Sequence, residues 1–215
     1  MLSLYWKRFK SNRMTIAGTI LVLGLVLMAL LSPWIMPHDP FQQDLLHRLK
    51  PPDSHHWFGT DELGRDVFSR ILFGTRISLA VGVVVTFISI TIGMIIGLIS
   101  GYWRGKLDSF FMRVVDIVLC FPTLYLILML LAILDKPSIM YTMIIIAVTS
   151  WPGLARMVRG EVLSVRERDF ILVAKGLGVS TPRILFVHVL PNVISPILVA
   201  ATFSVGSAIL TESGL

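Results

Sequence analysis

Five stretches of this chain are long, apolar and almost free of charge: Met14 to Pro37, Ile77 to Trp103, Val114 to Leu134, Pro137 to Ala155 and Val189 to Leu210. Only the third contains a charged residue, Asp116 near its start. Each is long enough to cross a hydrocarbon core of about 30 Å as a helix. Inside a bilayer the backbone must satisfy its own hydrogen bonds, so runs of this kind can only be spanning helices. The fold class is all-α integral membrane, with five spanning helices visible. Composition agrees: 55% of the 215 residues are hydrophobic, 15% are charged, and the mean hydropathy is +0.81. The first run follows Lys7, Arg8, Lys10 and Arg13, as a signal peptide would. It is too long for a signal core, and Leu31-Ser32-Pro33-Trp34 is not a small-residue cleavage site, so it reads as a retained helix.

The charges orient these helices. With the N-terminus inside, the inner segments hold Lys7, Arg8, Lys10, Arg13, Arg104, Lys106, Arg113, Arg156, Arg159, Arg166, Arg168, Lys175 and Arg183. The outer segments hold Arg48, Lys50, Arg65, Arg70, Arg76 and Lys136, and most of the acids. This is the positive-inside pattern. A net charge of +6 would suit nucleic acid in a soluble chain, but here topology accounts for it, and no nucleic-acid partner is expected.

Three organisational units follow. Residues 1–36 are a cytoplasmic N-terminus and first spanning helix. Residues 37–76 are an extracytoplasmic loop. Residues 77–215 are a core that carries a basic cytoplasmic segment, 156–192. In the outer loop, Val67, Ile71 and Leu72 share a face between Asp66 and Phe73, which predicts a short interfacial helix. His38, His47, His55 and His56 also lie there. None has the i, i+4 spacing of a helical metal pair, and the single Cys120 sits in an apolar run, so no metal ligand is assigned. Gly93, Gly97 and Gly101 recur every four residues on one helix face, a helix-packing signal that serves a partner subunit or the same chain. Pro122 inside the third run predicts a kink or break. Asp116 has Arg113 within one turn as its expected partner.

The segment 156–192 is too long for a simple turn. Phe170, Val173, Ala174 and Leu177 give one apolar face of a short helix, which Asp169 starts and Gly178 stops. Ser180 or Thr181 starts the next helix with Pro182 in its first turn, and Pro191 perturbs the entry to the fifth span. A short helix presented this way suits a groove on another protein. The chain has no G-x-x-x-x-G-K-[ST], H-E-x-x-H or G-x-S-x-G pattern, so no catalytic residue is assigned.

The run LVAKGLGVSTPRILFVHVLPN resembles the EAA loop of binding-protein-dependent ABC importer permeases. Ala174, Gly178, Ile184, Leu190 and Pro191 fit that motif, whereas Leu172 stands where its glutamate belongs, with Glu167 and Asp169 as the neighbouring acids. The run FGTDELGRDVFSRILFGTRISL, from Phe58 to Leu79, is similar to the outer loop of the C-type permease subunit of the dipeptide/oligopeptide/nickel family, through Gly59, Thr60, Asp61, Gly64, Arg65 and Asp66. The resemblance implies a MetI-like permease bundle in a bacterial or archaeal plasma (inner) membrane, multi-pass, paired with a second homologous permease and bathed in membrane lipid. It implies two cytoplasmic ABC ATPases docked on Asp169, Phe170, Val173, Ala174, Gly178, Leu190 and Pro191, and an extracytoplasmic binding protein that delivers substrate. ATP and Mg would sit on those partners, with no cofactor in this chain, which is not expected to be an enzyme. Di- or oligopeptides are the expected substrate, with nickel or a metallophore as the alternative. A stand-alone secondary carrier would show buried charges and repeated halves, and the sequence shows neither. The family also implies a sixth spanning helix, so a C-terminally incomplete chain is expected at Leu215.

Overall fold

The computed structural model describes residues 11–134 and 138–215. Lys7, Arg8, Lys10, Lys136 and the Pro137 start of the fourth run lie outside the described residues. Among those described, the chain is helical, without strands beyond one isolated bridge between Thr60 and Asp66. It divides into two compact units, Met1–Ala80 and Val81–Leu215.

The first unit contains α1 (Arg13–Ile35), a 3₁₀ turn at Leu45–His47 and the start of α2 (Val67–Trp103). Asn12 caps α1, its side-chain oxygen accepting from the Met14 N–H at 3.0 Å. The side chains of α1 are apolar all round and mostly exposed, which fits a helix facing lipid. The short interfacial helix expected between Asp66 and Phe73 is not a separate element. It forms the first turns of α2, which continues through 37 residues. Gly74 is the strongest helix-weakening residue between Val67 and Ile77, and one glycine costs about 1 kcal/mol, too little to end a helix.

The second unit holds the rest of α2, α3 (Gly105–Leu119), α4 (Thr123–Ala132), α5 (Ile139–Arg166), α6 (Asp169–Gly176) and α7 (Thr181–Ser213). Four described helices are long and apolar enough to span a membrane, or five if α3 and α4 count as one broken span. That pair bends by 82° at Pro122, which lacks the N–H that a continuous helix would need. The helix α5 runs past Ala155 to Arg166, so the first third of the 156–192 segment is helix rather than loop. Val158, Val162 and Val165 extend its buried face beyond the point where charge begins. At the start of α7, Ile184–Val189 is wound as a π-helix just before Pro191. The wider winding absorbs the proline's missing donor and ring without breaking the helix.

The core of this unit joins α2, α5, α6 and α7 through Leu98, Tyr102, Val158, Val162, Ile171, Ala174, Ile184, Val189 and Val193. Within it α2 and α5 approach closely. A Cβ placed on Gly93 would lie 2.6 Å from Leu154 Cδ2, one on Gly97 2.6 Å from Val158 Cβ, and one on Gly101 2.7 Å from Val162 Cβ. The glycine stripe therefore packs against a helix of the same chain. Ser89 Oγ donates to the Ala147 carbonyl at 3.0 Å across that seam. Arg159 clamps Asp108 with two bonds of 2.6 and 2.7 Å, tying α5 to α3. Asp116 accepts from Arg156 at 2.7 Å, not from Arg113 as local spacing suggested. An i−3 neighbour was the only partner that sequence spacing could offer, and the α3–α5 packing supplies another.

Gly97→Leu forces a side chain into Val158 and the Ala155 carbonyl. It is expected to destabilise the chain by about 2–3 kcal/mol, read as a fall in Tm of the purified protein in detergent. Gly74→Ala, where a Cβ meets nothing within 4 Å, is expected to leave Tm unchanged or raise it.

Candidate functional site

The segment that follows α5 is built as a rigid corner. Asp169 lies in the first turn of α6, where a carboxylate suits the free N–H groups. The helix ends in a Schellman turn: the Val179 N–H bonds to the Ala174 carbonyl at 3.1 Å and the Gly178 N–H to the Lys175 carbonyl at 3.0 Å. Gly178 has φ +74°, which only glycine adopts without strain. The chain then turns into α7, with Ser180 at its N-cap position and Pro182 in its first turn.

This corner gives α6 two faces. Ile171 and Ala174 are buried against Val162, Val165, Ile184 and Leu185. Phe170, Val173 and Leu177, spaced i, i+3, i+7, point away from the core and are exposed by 40%, 60% and 78%. Sequence periodicity put Ala174 with the exposed three; the structure puts it underneath. Leu190 is half-buried beside the core, and Pro191 is exposed within α7. Leu172, at the motif's glutamate position, is also exposed. Glu167, one of the two neighbouring acids, pairs with Arg104.

Much of the positive charge here is committed internally. Arg166 donates to the Tyr102 carbonyl and lies over its ring at 5.7 Å, and Lys175 sits over the same ring at 5.0 Å. Burial, followed by the nearby charges of Arg166 and Arg104, lowers the Lys175 pKa below its ordinary 10.5. These contacts join residues more than 60 positions apart, so no local pattern announces them.

The loop motif is a second constellation, within the first unit. Gly59 and Gly64 both have φ +73°, and a Cβ on either would overlap a backbone carbonyl, that of Lys50 or Asp44. Thr60 donates to the His47 carbonyl and accepts from the Lys50 N–H at 2.9 Å. Asp61 closes the tight loop over Gly64: it accepts from the N–H groups of Leu63 and Arg65 at 2.9 and 3.0 Å and from Arg65 Nε at 2.8 Å, with Arg70 at 3.2 Å. Asp66 is buried and caps α2, accepting from the Ser69 N–H at 2.8 Å. It also pairs with His56 Nδ1 at 3.0 Å. Burial pushes the Asp61 and Asp66 carboxyls up. Hydrogen bonds from Arg65 and Leu63 to one, and from Ser69 and His56 to the other, outweigh it and hold both below 3.8. Every residue of this motif thus has a folding role that its spacing alone did not disclose.

Bundle, glycine corner and structured loop describe a polytopic membrane protein. Residues 93–215 match the family described as binding-protein-dependent transport system inner membrane component, and residues 1–52 match the N-terminal transmembrane domain of oligopeptide transport permease C. The chain belongs to this permease family. It is 41% identical over 210 residues to the dipeptide transport system permease protein DppC of Bacillus subtilis (strain 168), covering 98% of this chain and 65% of that protein. It is 40% identical to the oligopeptide transport system permease protein OppC of the same organism, covering 98% and 70%. It is also 40% identical to the probable D,D-dipeptide transport system permease protein DdpC of Escherichia coli (strain K12), covering 96% and 69%. The chain spans about two thirds of the length of these relatives.

Because the folded-state pKa of Asp61 is depressed, its contribution to stability is present above about pH 4 and is lost as pH falls through the lowered value. Asp61→Asn is expected to lower Tm at pH 7 and to flatten the acid limb of a Tm-against-pH curve as pH falls below about 4. An acid limb identical to that of the wild type would refute the assignment.

Proposed function

We propose that this chain forms half of the translocation path of an ATP-driven, binding-protein-dependent importer of di- and oligopeptides. The single observation that carries the coupling role is the outward apolar face of α6. Phe170, Val173 and Leu177 stand exposed on a short helix whose other face is locked into the core. A helix held in this way transmits a push at its outer face to α5 and α7 as a lever, which a loosely tethered loop would not do. The family and the charge pattern support a cytoplasmic N-terminus and a cytoplasmic position for α6, with the loop 37–76 facing the other side.

In this reading, two cytoplasmic ABC ATPases dock on α6 and on the matching helix of a second homologous permease. The chain has no phosphate-binding loop of its own, so the hydrolysis that drives it belongs to those partners. ATP binding draws the ATPases together, the two docked helices move, and the bundle alternates its access. An extracytoplasmic binding protein delivers the substrate. The peptide assignment rests on the dipeptide and oligopeptide permeases to which the chain is about 40% identical over nearly its whole length. No observation favours nickel as cargo.

Val173→Asp and Leu177→Asp change exposed positions, so membrane insertion and Tm are expected to hold. Each is expected to weaken ATPase co-purification and peptide uptake about 30-fold or more, the scale of losing one apolar anchor of about 2 kcal/mol. Retained ATPase binding together with retained uptake would refute the docking face. Ala174→Arg tests stability instead, because Ala174 is buried.

A further inference from the structure

We infer that the loop in the first unit carries a divalent transition-metal site made by His38, His56 and Asp66, with zinc the best-matched ion. The ligand atoms of these three side chains all lie within 4.8 Å of one another. His56 Nδ1 is 3.0 Å and His38 Nδ1 4.0 Å from the Asp66 carboxylate, and the two imidazole rings lie 4.7 Å apart. Ligands about 2.05 Å from a tetrahedral zinc are separated by about 3.3 Å, which falls between those two distances. Side-chain movements of about 1 Å, within the reach of rotation about the histidine χ angles, would place all three in a first coordination sphere.

A second observation points to the same place. His38 Nδ1 is a buried atom with no hydrogen-bond partner. Whichever tautomer the ring adopts, that nitrogen is an unpaired donor or an unpaired lone pair out of water, at a cost of about 1–3 kcal/mol. A cation bound between His38 and Asp66 uses the lone pair directly. Asp66 is also oriented as metal-bound carboxylates are: the Ser69 N–H donates to one of its oxygens at 2.8 Å, and Ser69 Oγ accepts from the His38 N–H at 3.3 Å, so one serine fixes two ligands. The remaining side opens on a cavity of about 200 Å³ bordered by Asp39, Gln42 and Asp44, with room for a water to complete the coordination. Two imidazoles and one carboxylate favour zinc over magnesium or calcium, which take oxygen ligands. The ion would join Pro37-His38, the His55-His56 turn and the start of α2, stapling a loop that has few apolar side chains in its interior.

The test uses the full chain purified in detergent, stripped with EDTA, loaded with Zn²⁺ and dialysed against metal-free buffer. One zinc per chain is expected by mass spectrometry of the metal content, together with a rise in Tm on adding Zn²⁺ but not Mg²⁺. His38→Ala leaves the Asp66 cap and its Ser69 bond in place. It is expected to weaken zinc retention at least tenfold, whereas His47→Ala, at an exposed histidine outside the cluster, retains it. Two results overturn the site: a wild-type chain without zinc or zinc-dependent Tm, which leaves only the His56–Asp66 hydrogen bond beside His38, or equal zinc in His38→Ala and wild type. Neither readout involves uptake, so the outcome is independent of the importer reading.

Discussion

The close approach of α2 and α5 is the constraint on which the second unit depends. Three glycines one turn apart remove the side chains that would hold these helices at an ordinary distance, and Leu154, Val158 and Val162 fill the groove that results. In lipid, hydrophobicity supplies no drive for helix association, so dispersion contact of this kind supplies much of the stabilisation. The same contact explains why α5 persists to Arg166. Its valine face remains buried on the α2 side and on α6 and α7 after the sequence has turned basic, and that burial outweighs the arginines interleaved with it.

From that seam the basic segment acquires a different meaning. Arg156, Arg159 and Arg166 look like a charged surface when read along the chain. In three dimensions they bind Asp116, Asp108 and the Tyr102 carbonyl, and so tie α5 to α3 and to the end of α2. Arg104 reaches Glu167 in the same region. The charge that orients the helices in the membrane therefore also fastens them together. Among what remains exposed is an apolar stripe, Phe170 and Val173 on α6 with Leu177 at its C-terminal cap.

Local rules made much of this legible. Uncharged length announced the spans, Pro122 the break, Gly178 the end of α6 and the glycine repeat a tight helix contact, because each of these depends on a residue and its near neighbours. The rest turned on long-range geometry. Ala174 shares its helix period with Phe170 and Val173, so periodicity grouped them; only the positions of α5 and α7 decide that it lies beneath. Asp116 has Arg113 one turn away, but its carboxylate meets Arg156 across a helix pair. The four loop histidines show no helical spacing, and two of them meet through a fold in which Gly59 and Gly64 turn the chain back on itself. Spacing rules for metal ligands describe ligands on one element and do not register a site assembled from three.

The two glycine-dependent structures divide labour in a way that residue type alone does not reveal. Gly93, Gly97 and Gly101 are needed for what their absent side chains admit, with ordinary helical backbone throughout. Gly59, Gly64 and Gly178 are needed for a left-handed backbone, and at Gly178 a Cβ would meet nothing within 4 Å. Substitution at Gly178 would thus act through strain of about 1–3 kcal/mol in the turn, rather than through collision. The turn sets the angle between α6 and α7, so strain there would be felt as a misdirected helix more than as a lost core. That distinguishes a residue that positions the proposed docking face from one that holds the bundle together, although both are glycine.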